Sequence, residues 1–147
     1  MKIGEVFIWR DFPYAKFPGE QKDRWFVYIG ETSTLQLPII ATIITATTQT
    51  QHYERGAMRA NHSHIHIQQG QYGFERDCVL DLDEGYYEYE ASMLGSNPKI
   101  ETRGATTEEC LRRIYKAVLT SNTMSKQTQR DIYACLNRIG ITGLKRP

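Results

Sequence analysis

A chain of 147 residues, 40% apolar and 24% charged, is long enough to bury one core and too ordinary in composition for a disordered or fibrous protein. Its formal net charge of +1 excludes a global basic field for nucleic acid, although charge can still gather locally. The three cysteines, Cys78, Cys110 and Cys135, are widely spaced with no CxxC, which fits the reduced thiols of a cytoplasmic protein better than a disulfide framework. The N-terminus lacks the layout of a secretory signal. The longest apolar-leaning run, Leu35 to Ala46, is too short and too rich in threonine to span a bilayer, so no membrane partner is expected.

Residues 3–12 alternate around Val6 and Ile8, which predicts a first strand that stops at Pro13. The following loop runs to Asp23 and is long for a hairpin, a common property of functional loops. Its polar end, Glu20, Gln21, Lys22 and Asp23, feeds directly into Arg24 to Gly30. That segment is apolar on both faces and reads as a central second strand. Residues 39–48, IIATIITATT, form a β-branched third strand. Alternation puts Thr45 and Thr47 on one face and Thr48 on the other. Gln49 to Asn61 is a polar loop carrying Tyr53, Glu54 and Arg55.

His62, His64 and His66 then alternate along NHSHIHIQ, a fourth strand. Three such side chains span roughly 13 Å, too far for all three to hold one ion, so no metal is expected. A solvated or interface face is the first reading, with RNA contact by histidine open. Phe74 to Asp83 reads as another strand. Gly85 to Met93, with Tyr86, Tyr87 and Tyr89 among acids, is a further strand or an irregular aromatic segment that packs in a core or dimer contact. Gly95 to Gly104 reads as a loop around a short Ile100 segment.

The last third is helical. Thr106 and Glu109 have the spacing of a capping box. Leu111, Ile114, Tyr115, Val118 and Leu119 follow helical periodicity. Ser125 caps a second helix, striped by Ile132, Cys135, Leu136 and Ile139 and ended by Gly140. The expectation is a single α+β domain, mainly β. Residues 1–104 form a β-rich barrel or sheet, 105–140 a helical region and 141–147 a tail. The cysteines read as small core hydrophobes.

Four pieces in order carry a resemblance. They are Gly4-Glu5-Val6 leading to Trp9-Arg10-Asp11-Phe12-Pro13, then Glu20-Gln21 with Arg24 opening an apolar strand, then Thr47-Thr48-Gln49, and finally Asp77 to Glu84. Together they resemble the MazF/PemK family of toxin endoribonucleases from toxin-antitoxin systems, over about Gly4 to Asp83. The resemblance implies an SH3-like barrel of the MazF/PemK/CcdB type, usually a homodimer, that cuts single-stranded RNA without metal or cofactor. The ribose 2′-hydroxyl is the nucleophile and an antitoxin protein is the partner. By position, Glu20 is the implied base and Arg24 the contact to the scissile phosphate, where a planar fork suits phosphate oxygens. Thr47 is the implied hydrogen-bond partner of the phosphate. Gln21, Lys22, Thr48, Gln49, Tyr53 and Arg55 are the implied RNA contacts around them.

Each piece also has a plainer reading. Glu20 and Arg24 can be a loop ion pair of little energetic weight, and hydroxyls at a strand end can satisfy backbone groups. The functional alternative is a catalytically silent RNA- or protein-binding domain on the same fold. The C-terminal helices either pack against the barrel or occupy the groove that a partner would use.

Overall fold

The computed structural model describes residues 1–13, 22–33, 35 and 37–147. The strands are β1 (Glu5–Phe12), β2 (Lys22–Glu31), β3 (Ile40–Thr47), β4 (His64–Ile67), β5 (Cys78–Asp81), β6 (Tyr86–Glu90) and β7 (Ile100–Ala105). The helices are α1 (Ala91–Ser96), α2 (Glu108–Thr120) and α3 (Lys126–Arg138). All strand pairs are antiparallel. The sheet runs β4-β5-β3-β2-β1-β7, and β6 pairs with the first part of β3 on the edge that β5 uses further along. The result is an α+β fold, mainly one seven-stranded sheet, consistent with a small barrel-like β architecture.

The sheet has a core on each face because β2 and β3 are apolar at both parities. On one side Val27, Ile29, Ile44, Leu80 and Leu82 lie under α2 and α3, which contribute Leu111, Ile114, Val118, Ile132 and Leu136. The C-terminal helices are therefore part of the core. Gly30 shows how closely α3 approaches. A Cβ there would lie 2.7 Å from Ile132 Cγ1 and 3.3 Å from its Cα. On the other face Phe7, Trp9, Phe12, Phe26, Tyr28, Ile43 and Leu94 form an aromatic core, with the Trp9 and Phe12 rings edge to face at 4.9 Å. Aromatic pairs of this kind add packing energy beyond the area they bury.

Several expectations shift. Residues 100–105 pair with β1 rather than forming a loop, with a register shift at Arg103. Residues 86–90 form a strand, and Tyr87 and Tyr89 pack against the aromatic core. The short α1 was not anticipated, because six residues give periodicity little to act on. The cap of α2 moves by one residue. Thr107 accepts from the Cys110 N–H, while the Thr106 hydroxyl donates to the Gly4 carbonyl. Ser125 caps α3 as expected. The tail is tied down, with Ile141 buried and Arg112 donating to the Thr142 carbonyl at 2.9 Å. All three cysteines are buried thiols. Burial pushes the Cys78 thiol up to about 12, as befits a core hydrophobe.

Candidate functional site

Strand register brings the polar residues of the aromatic face together. Trp25 pairs with Ala46, and continuing that register by one residue sets Arg24 opposite Thr47. Thr47 pairs with Val79 on its other side, and Val79 with His66. Paired residues share a face. Arg24, Thr47, Val79 and His66 therefore form one row across four strands. At about 4.8 Å per strand the row is roughly 14 Å long. Its neighbours on the same face, Trp9 and Phe26, belong to the aromatic core.

Arg24 is half-buried and makes no ion pair among the described residues. Asp23, beside it in sequence, is held by Arg10 at 2.9 Å and by the Asp11 N–H at 3.1 Å. These contacts, the Arg10 bond first, keep the Asp23 carboxyl below its ordinary value. Arg24 is thus left to act on something outside the described fold. The Thr47 hydroxyl accepts from the Gln49 N–H at 3.2 Å, so its own proton remains available to donate. Thr48 lies on the opposite face, in a pocket of about 290 Å³ that it shares with Asp23 and Glu75. Arg76 also lines that pocket, so its two carboxylates outnumber one guanidinium. Lys22, Gln49 and Arg55 are exposed. Glu20 and Gln21 lie outside the described residues.

Tyr53 does not fit a direct RNA contact. It is only 5% exposed, and its hydroxyl donates to Asp81 Oδ2 at 2.8 Å. Asp81 is the centre of a buried network. Its Oδ2 also meets His62 Nδ1 at 2.8 Å, and its Oδ1 accepts from the N–H groups of Asp83 and Glu84 at 2.8 and 3.0 Å. Burial works to raise this carboxyl, but the hydrogen bonds, led by His62, outweigh it and hold the pKa below the ordinary value. Asp83 plays the matching role one turn on. Its carboxylate accepts from Ser63 N–H, Asn122 N–H and the Ser121 hydroxyl, which fastens the α2–α3 connection to the sheet. The acidic run from Asp77 to Glu84 thus hides two of its charges inside the fold.

His62, Asp81 and Glu84 are the one group among the described residues whose side-chain atoms could share a metal ion, within 4.8 Å of one another. Arg59 reaches Glu84 at 3.4 Å, and each Asp81 oxygen already accepts two hydrogen bonds. The cluster therefore has its counter-charge and its donors from the chain itself. His62 is turned down into this network, whereas His64 and His66 remain on the sheet face with their rings 5.1 Å apart.

Beside them an open groove of about 500 Å³ runs between β4, the sheet edge, and α2. Asn61, His64, Arg113, Lys116 and Thr120 line it, and none of its lining residues is acidic. Sequence reasoning passed over Arg113 and Lys116, which sit on the solvent side of α2. Their i, i+3 spacing, opposite an apolar stripe, was the available signal. Neither the models of known protein families nor the sequences of curated proteins give a match to this chain.

Proposed function

We propose that this protein is an endoribonuclease that cuts single-stranded RNA by attack of the ribose 2′-hydroxyl, on an SH3-like barrel of the MazF/PemK type. The observation that carries the reading is the β2–β3 register, which, continued one residue past Trp25 and Ala46, sets Arg24 opposite Thr47, four residues after Glu20 in the sequence. Phosphoryl transfer of this kind needs cations and donors around the pentacoordinate phosphorus, and a base for the 2′ proton. The Arg24 guanidinium, free of internal ion pairs among the described residues, bonds two phosphate oxygens with its fork. The Thr47 hydroxyl donates to a third. Glu20, four residues before Arg24, takes the 2′ proton as the 2′-oxygen bonds to phosphorus. The bond to the 5′-oxygen breaks, and that oxygen receives a proton on leaving. The products are a 2′,3′-cyclic phosphate and a 5′-hydroxyl.

The ordered sequence likeness supports the same reading, and with it come a homodimer and an acidic antitoxin as partners. Asp81 is buried and each of its oxygens accepts two hydrogen bonds, so it does not oppose phosphate at the surface. Incubation of the purified protein with mixed-sequence RNA in EDTA tests the proposal. Discrete cuts with cyclic phosphate ends are expected. Intact RNA with a folded protein overturns the reading and leaves a binding domain.

A further inference from the structure

The groove between β4 and α2 is cationic and has no internal anion to satisfy it. Arg112 reaches Glu108 at 3.5 Å. Its neighbour Arg113 instead donates to the His66 carbonyl at 3.0 Å, and among the described residues neither Arg113 nor Lys116 forms an ion pair. His64 Nδ1 donates to the His62 carbonyl at 2.6 Å. Nε2 of the neutral ring is then an acceptor, and it donates to an anion only when the ring is protonated. The His66 imidazole is pushed down from its ordinary value, first by burial and then by the charges of His64 and Arg113. Arg113 and Lys116, one turn apart on α2, are like charges that an anion between them would relieve. Asn61 and Thr120 add neutral donors along the wall. The acids nearest in the chain do not compensate. Glu109 lies one turn before Arg113 and outside the lining, and Asp81 is taken up by His62 and Tyr53.

We propose that this groove is a second phosphate subsite, in which Lys116, Arg113 and His64 hold the backbone of the same RNA strand beyond the cut. The proposal rests on the ribonuclease reading for the identity of the polyanion. His66 supplies the continuity. It ends the row that begins at Arg24 and Thr47, its ring lies 5.1 Å from that of His64, and its carbonyl accepts from Arg113 of the groove. A strand of RNA leaving Arg24 and Thr47 passes the buried Val79 to His66 and turns round the β4 edge to reach Arg113, since α2 packs on the opposite face of the sheet. The helices added after the sheet thus extend the binding surface as well as closing the core. An extended acidic peptide added to the β4 edge is the competing occupant. The bond from Arg113 to the His66 carbonyl occupies an acceptor that strand addition would use, which favours RNA.

The test uses a labelled, mixed-sequence 2′-O-methyl RNA decamer, which binds without being cut, with the full chain. Lys116 is exposed and outside the catalytic row, so Lys116→Glu should keep the fold. Lys126→Glu, at the start of α3, makes the same charge change elsewhere. The expected result is at least tenfold weaker binding for Lys116→Glu and less than twofold for Lys126→Glu. The slope of log affinity against log salt should also fall by about 0.7 for the lost phosphate contact. Equal affinity of Lys116→Glu and the unmodified chain overturns the subsite, as does an equal loss in both variants. Displacement of the RNA by a short polyglutamate peptide at matching concentration also overturns it, in favour of the peptide. Cleavage assayed in parallel separates the two proposals. Groove-dependent binding without any cutting removes the nuclease and keeps the subsite. Cutting with a Lys116→Glu variant that binds normally does the reverse.

Discussion

One face of one sheet carries two different surfaces. Towards α1, the side chains of β1, β2 and β3 are Phe7, Phe12, Phe26, Tyr28 and Ile43, and they fill one another's space. Along the row from Arg24 to His66, the same alternation presents a guanidinium, a hydroxyl and, past the buried Val79, an imidazole. The backbone is continuous between them, and only side-chain chemistry changes. The aromatic end satisfies itself by packing, and the polar end has donors that the described fold does not use. A rigid core directly beneath a row of free donors is the arrangement a preorganised phosphate site needs.

Substitution in each region should separate these roles. The largest effect is expected at Arg24. Arg24→Ala should lower RNA cleavage by roughly 100- to 1000-fold, read by gel, with an unchanged unfolding midpoint. A variant that is folded and fully active would remove Arg24 from the chemistry. Asp81→Ala should act in the opposite way. It strands four donors around one buried site and should cost about 3 kcal/mol of stability in denaturant titrations. The pH dependence has a definite sign. The Asp81 pKa is lower folded than unfolded, so its stabilisation is present above the unfolded value of about 3.9 and is lost as pH falls through the folded one. Asp81→Asn should flatten that acid limb of the stability profile, and an unchanged limb would assign it to other carboxylates.

Gly30→Ala should cost about 1–3 kcal/mol by overpacking against Ile132. A neutral or stabilising effect would mean that α3 can move away from β2. The smallest effect is expected at Thr47, where Thr47→Val should slow cleavage about 10-fold, the loss of one hydrogen bond to a charged group, while Thr47→Ser restores most of it.

How much of this was legible in the sequence follows from which interactions are local. Strands β1, β2 and β3 declare themselves by density of apolar and β-branched residues, and alternation alone separates Thr47 from Thr48. The helices are visible because an amphipathic stripe repeats for more than three turns. Strand β7 is not visible, since IETRGA is mostly exposed and its pairing to β1 lies some ninety residues away. The network of Tyr53, His62 and Asp81 was equally hidden. Its members are 28 and 19 residues apart in sequence, and an acid beside a polar loop reads as solvated until the fold buries it. Tyr53 reads as an RNA contact for that reason, and the fold makes it a support for Asp81.

The most direct measurement is an NMR map of the full chain titrated with uncleavable 2′-O-methyl RNA. Shifts are expected at Arg24, Thr47, His66 and the β4–α2 groove, with Tyr87, Tyr89 and α3 unmoved. Shifts centred on α3 or on the aromatic end, with the row from Arg24 to His66 unaffected, would contradict it.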